Sequence, residues 1–157
     1  MLHTLSCAPP TSGEYLEIMS RHFAIAALWA GNRALDENGD EWESYDENFS
    51  WEDFSAVAML AILEDCAAFI EENEDDLIEA DRVAAEIGYS TERESSYSVL
   101  GYGPEQAGHD FLLTRCGHGV GFWDRGLGDV GERLSDSARV YGDINLWDDG
   151  TRVYLDI

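Results

Sequence analysis

The sequence predicts an α+β fold in which N-terminal helices pack on a C-terminal antiparallel sheet of hairpin, helix and hairpin, in two layers around one core. Three observations carry this. A chain of 157 residues with 45% hydrophobic content fits one domain spanning 1–157 and can bury a core. Between residues 14 and 87, apolar residues recur at three- and four-residue spacing, the period of amphipathic helices. From residue 108 onward, short apolar runs alternate with glycine-rich turns, so 108–157 reads as the β-rich half.

In chain order, residues 1–13 contain Pro9, Pro10 and Gly13 and read as an irregular lead. Ser12 is placed to cap a helix from Glu14 to Ala30, where Tyr15, Ile18, Met19, His22, Ile25, Ala26 and Trp29 share a face; Gly31 and Asn32 end it. Ser50, three residues before Asp53, predicts a capped start for a long helix whose buried stripe is Phe54, Val57, Ala58, Ala61, Ile62, Phe69 and Ile70. A further helical stretch through Leu77, Ile78, Val83, Ala84 and Ile87 stops at Gly88. The next twenty residues, "YSTERESSYSVLGYGPEQAG" at 89–108, lack a period and predict a long exposed connection. "HDFLLTR" and "VGFWDR" around "CGHG" predict a hairpin, and Val130, Leu134, Ala138 and Tyr141 predict a helix stopped by Gly142. "INLWD" and "TRVYLDI", joined through Asp149-Gly150, predict a final hairpin.

Charge is the main functional signal. The formal net charge is -24, from 33 acids against nine basic residues, all of them arginine. Its distribution is regional: 18 of the 33 acids, and no arginine, fall within 34–81. Such a field repels nucleic acid and anionic membranes, which need lysine or arginine on the protein, and attracts cationic partners. The three cysteines lack paired spacing, and neither a signal peptide nor a membrane-spanning run is visible, so the expected location is the cytoplasm of a bacterial cell.

Several motifs approach a chemistry without completing it. Asp36, Asn38, Asp40, Ser44 and Glu47 fall at the first, third, fifth, ninth and twelfth places of a calcium loop, but Glu41 occupies the sixth, where glycine makes the sharp turn. His109, Asp110, His118 and Asp124 would form a metal site only if the hairpin register brought them to one face. Cys116 with His118 two residues on is a candidate reactive thiol, whereas Cys66 lies on a buried helix face. "GLGDVG" at 126–131 lacks the lysine of a phosphate loop, and no G-x-S-x-G elbow occurs. No set places a base, a nucleophile and an oxyanion donor together, so the expectation is a non-enzyme without cofactor or metal.

The segment "AGHDFLLTRCGHGVGFWDRGLGDVGERLSDSARVYGDINLWDDG", 107–150, resembles a phrase of small acidic proteins encoded by bacteriophages and prophages, with a weaker echo in "EDCAAF" at 64–69. The match runs through Gly108-His109-Asp110-Phe111, Leu113-Thr114-Arg115, Gly117-His118-Gly119 and Gly121-Phe122-Trp123-Asp124. Cys116 stands where the phrase usually has asparagine, and 88–104 resemble an insertion. The resemblance implies a phage accessory protein and a counter-defence role, and it supplies no catalytic residue.

These readings converge on an acidic interaction surface. The expected contact residues are Asp36, Glu37, Asp40, Glu41, Trp42, Glu43, Tyr45, Asp46 and Glu47 of the loop, then Glu64, Asp65, Glu71, Glu72, Asp75, Asp76 and Glu79 of the long helix. Carboxylates recurring at one-turn distances of about 5.4 Å can stand in for phosphates. The interleaved Trp42 and Tyr45 offer rings for arginine to stack on, while Phe49 before the Ser50 cap is placed to pack on Phe54. The expected function is a DNA mimic that occludes the nucleic-acid-binding cleft of a basic host protein, a CRISPR effector or a restriction enzyme. The alternatives are a general interaction or adaptor module for a basic partner and, behind it, a calcium- or metal-binding protein.

Overall fold

The computed structural model describes residues 8–92, 94 and 98–156, with 92, 98 and 99 described as backbone only. Cys7, the first part of the irregular lead and the last residue of the final strand's motif lie outside the described residues. Among the described residues the architecture is mixed α+β: four α-helices and three two-stranded antiparallel hairpins.

Helix α1 spans Gly13–Ala30, and the Ser12 hydroxyl caps it by accepting from the Tyr15 amide at 3.1 Å. Tyr15, Met19, Phe23 and Ala27 recur at one-turn spacing and are buried, whereas Trp29, expected on that face, is exposed. Strands β1 (Asn32–Ala34) and β2 (Trp42–Ser44) form the first hairpin.

The Ser50–Asp53 capping box is present, but it closes a single 3-10 turn, Trp51–Asp53. The reason is Phe54: its extended backbone pairs with Val153 as a parallel bridge, which interrupts any helix begun at Ser50. Ser55 therefore becomes the cap, accepting from the Ala58 amide at 3.0 Å, and α2 runs over Ala56–Glu86. The two helical stretches expected after Ser50 are one helix, interrupted at Asn73, whose backbone is non-helical. The Asn73 amide donates to the Phe69 carbonyl at 2.9 Å and to Ser137 at 2.8 Å, so the irregularity is buried with partners.

Two sequence expectations fail beyond this point. The described part of 89–108 is not a plain exposed connection: β3 (Ser90–Glu92) pairs with β4 (Ser98–Leu100), and Gly101–Glu105 are buried, while residues 93 and 95–97 of the expected connection lie outside the described residues. "HDFLLTR" is not a strand but the body of α3, Pro104–Arg115, and "FWD" is a 3-10 turn at Phe122–Asp124. Pro104 in the first turn pre-sets a helical φ, and burial on nearly every side removes the amphipathic period that would have marked the helix. Gly108 exists for contact: a Cβ there would meet the Met19 carbonyl oxygen of α1 at 2.3 Å, so α1 and α3 cross backbone to backbone.

Helix α4 (Asp129–Arg139) and the hairpin β5 (Asn145–Asp148) with β6 (Val153–Asp156) form as the sequence predicts. Among the described residues the three hairpins do not join into one sheet, so the helices-on-sheet arrangement is present only loosely, in the last hairpin lying against the start of α2. The centre is helical and aromatic, with Phe69 stacked on Phe111 at 4.4 Å and on Phe122 at 5.5 Å.

Candidate functional site

Helix α2 sets the geometry of the acidic surface. Ala58, Ile62, Cys66, Phe69, Leu77, Ala80 and Ala84 turn inward, and at about 100° per residue the opposite side carries Glu64, Glu71 and Asp75, all exposed. The flanks are used internally. Asp65 pairs with the buried Arg115 at 3.0 Å, and Asp76 pairs with Arg133 of α4 at 2.9 Å. Glu72 accepts the Tyr141 hydroxyl at 2.6 Å. Arg82 holds Glu79 at 2.7 Å, with a further contact to Glu86, and its hydrogen bond keeps the Glu79 carboxyl below the ordinary carboxylate range.

The hairpin loop forms a second acidic patch. Between β1 and β2 the chain turns at Gly39, with φ at +70°, while the Asp36 carboxylate accepts the Asp40 amide at 2.9 Å. Asp36, Glu37, Asp40, Glu41, Asp46 and Glu47 are exposed, and Trp42 is 63% exposed among them. Glu43 differs: it sits opposite Arg33 in the ladder, pairs with it at 3.2 Å, and also accepts from Asn48. Arg33 reaches on to Asp148 of β5 at 3.0 Å, tying the first hairpin to the last.

Tyr45 is a correction. Expected as an exposed contact, it is buried, its hydroxyl donates to the Leu146 carbonyl at 3.2 Å, and burial pushes its phenol up. Phe49 packs on Tyr45 at 6.1 Å and under the Arg33 guanidinium at 5.6 Å, and Trp51 lies under Arg21 at 5.5 Å. The two patches are not continuous along the chain. Val57, expected in the buried stripe, is 79% exposed and Leu60 is 56% exposed, so apolar side chains stand between them.

The calcium-loop positions lie on a hairpin and the 3-10 turn after it, so α1 and α2 do not flank the loop directly, and the Ser44 hydroxyl is committed to the Leu28 and Trp29 carbonyls. The residues 109, 110, 118 and 124 do not meet on a strand face. Asp110 is buried inside α3, His109 lies against His22 at 5.8 Å, and His118 and Asp124 are exposed on the following segment. Among the described residues, no three histidine, cysteine, aspartate or glutamate side chains group as metal ligands. Burial, reinforced by a hydrogen bond to Asp143, pushes the Cys116 thiol up to about 11, and burial pushes Cys66 up to about 12. Neither presents a thiolate at neutral pH.

Sequence reasoning missed a buried polar cluster centred on Asp110. Its carboxylate receives the Tyr102 hydroxyl at 2.5 Å, the Gln106 amide at 3.1 Å and the Arg125 guanidinium at 2.6 Å. The one legible signal was the four-residue spacing of Gln106 and Asp110, visible only once this segment is read as a helix. Every partner is an internal side chain, so the cluster fixes α3 to the segment after it.

No protein-family model, curated protein or solved structure matches this chain. Among the described residues, no helix is long and apolar enough to cross a membrane.

Proposed function

We propose that this chain is an acidic DNA mimic that occludes the DNA-binding cleft of a basic host protein, acting in the bacterial cytoplasm without chemistry of its own. The observation that carries the reading is the linear charge of α2. Seven acids fall within residues 71–81, a rise of about 15 Å. Arg133 and Arg82 offset Asp76 and Glu79. The remaining five leave one net charge per about 3 Å, close to the roughly 3.4 Å per phosphate along one DNA strand. The chain's own cations offer little competition, because Arg21, Arg33, Arg82, Arg115, Arg125, Arg133 and Arg139 are all ion-paired to internal carboxylates. A cleft that gathers lysine and arginine for DNA meets here a preorganised row of acceptors, and charge steering speeds the encounter. The phage resemblance points to the class of target, a CRISPR effector or a restriction enzyme.

The test is a titration of the purified protein against such nucleases, with duplex DNA as competitor and salt from 50 to 500 mM as a second axis, a range of roughly threefold in screening length. A mimic is displaced by DNA and weakens steeply with salt. Neutralising the outward, unpaired acids (Glu64→Gln, Glu71→Gln, Asp75→Asn) abolishes inhibition while the fold persists. Binding indifferent to both DNA and salt refutes the mimic and leaves the adaptor reading.

A further inference from the structure

The exposed Val57 sits at the start of α2 beside the last hairpin, and the exposed Leu60 follows it one turn along the helix, at the rim away from the hairpin residues. Val57, Ala58 and Ala61 face Trp147, Tyr154 and Leu155 across an apolar groove of about 370 Å³. Trp147 is 50% exposed and stacks on Tyr154 with ring centroids 4.2 Å apart. The Tyr154 hydroxyl donates to Asp149 at 2.8 Å, so its polar end has a partner while its ring lines the groove. Two docked aromatic rings beside an exposed aliphatic pair are the side-chain types that form interface anchors.

The groove runs directly into the acidic face. Val57, Leu60, Glu64 and Glu71 succeed one another at three-, four- and seven-residue spacing on one side of the helix. The apolar anchor therefore lies about 6 Å from the first outward carboxylate and about 16 Å from the second, measured along the axis. This polarity selects the occupant. A second copy of the chain would bring two surfaces of formal charge -24 together and is repelled. A segment with an apolar stripe and cations one to three turns beyond it matches both parts.

We propose that the groove seats the apolar face of an amphipathic, lysine- and arginine-flanked helix of the basic partner, while the outward acids of α2 take its cations. This rests on the reading that the acidic face meets a basic protein, and it adds the specificity element that a bare charge row lacks.

The experiment uses two synthetic 18-residue peptides of identical composition, one with leucines at helical i, i+3, i+4 and i+7 spacing among lysines, the other shuffled to abolish the stripe. Calorimetry on the full chain is expected to show the striped peptide binding at least about tenfold tighter, with that ratio persisting as salt rises. The charge-neutral pair Val57→Ser and Leu60→Ser, at positions too exposed to support the core, brings the ratio close to one. The Glu64, Glu71 and Asp75 amide variant weakens both peptides but keeps the ratio. Equal binding of the two peptides, or a ratio that survives the serine pair, overturns the groove. A dimer in sedimentation that the serine pair dissolves overturns the choice of occupant. The DNA competition stands apart from this ratio, so either proposal can fail without the other.

Discussion

Removing the Asp110 carboxylate isolates what the buried cluster contributes. Asp110 is 0% exposed, while the Arg125 side chain that pairs with it at 2.6 Å retains 21% exposure. In Asp110→Ala, Arg125 loses its three contacts to that carboxylate and the Tyr102 hydroxyl loses its short hydrogen bond. Breaking a buried pair from one side costs about 3–5 kcal/mol. Partial hydration of Arg125 places this case at the low end, about 3–4 kcal/mol, a fall in Tm of roughly 6–16 °C for a domain of this size. Asp110→Asn keeps an acceptor for Tyr102 and costs less, about 2 kcal/mol.

The assay is thermal and urea unfolding of Asp110→Asn, Arg125→Met and the double variant, read as a cycle. The coupling should reach about 1.5 kcal/mol or more, because the double variant removes both charges and leaves no buried ion behind. A coupling below about 0.5 kcal/mol would mean that solvent screens the pair and that Tyr102 and Gln106 alone hold Asp110. That result refutes the account of Arg125 as the clamp on α3.

Three further outcomes follow from particular contacts. Gly108→Ala forces a Cβ against the α1 backbone, 2.3 Å from the Met19 oxygen and 2.8 Å from the Phe23 nitrogen; urea unfolding should show a loss of about 3 kcal/mol. Burial, then the neighbouring His22, lowers the His109 pKa, with Asp110 opposing and Arg125 adding to the shift. The neutral ring is the folded form, so its contribution is complete above the unfolded value of about 6.5 and is lost as pH falls through the folded value. His109→Gln should flatten the stability profile across that window, and an unchanged slope would exclude His109 as its source. Site-resolved alkylation at neutral pH should find Cys116 slower than a free thiol and Cys66 reactive only on unfolding, given their raised values of about 11 and about 12.

The elements legible in the sequence were those with one wet side. Helix α1, the inner stripe of α2 and α4 alternate buried with exposed positions, β5 alternates exposed with half-buried ones, and the α1 cap and the last turn lie where Ser12 and Asp149-Gly150 place them, while α4 ends at Arg139, three residues before Gly142. Helix α3 failed for the opposite reason. From Ala107 to Arg115 every position except His109 is buried, so period carries no information, and the apolar run between glycines reads equally as a strand. Gly103-Pro104, a turn followed by a first-turn proline, was the local clue. Ser50 misled because its capping box is real, yet the strand-like contact of Phe54 with Val153, a hundred residues away, decides where the helix begins. A local motif cannot report that pairing.

The acidic surface was legible as a total and illegible in its parts. Asp65 and Asp76 look identical to Glu64 and Asp75 in the sequence. They differ because Arg115 and Arg133, 50 and 57 residues away, reach the flank of α2 and not its crest. The same geometry reassigns Glu43 to Arg33 and buries Tyr45. The division changes how the surface must be probed. A block that includes Asp76 or Asp65 releases Arg133 or the buried Arg115, so lost binding would be confounded with lost packing. Glu64, Glu71 and Asp75 carry the outward field without holding the fold, and their removal also relieves repulsion within a chain of formal charge -24. A variant that is as stable as the parent and yet fails to inhibit therefore ties the loss to the surface itself.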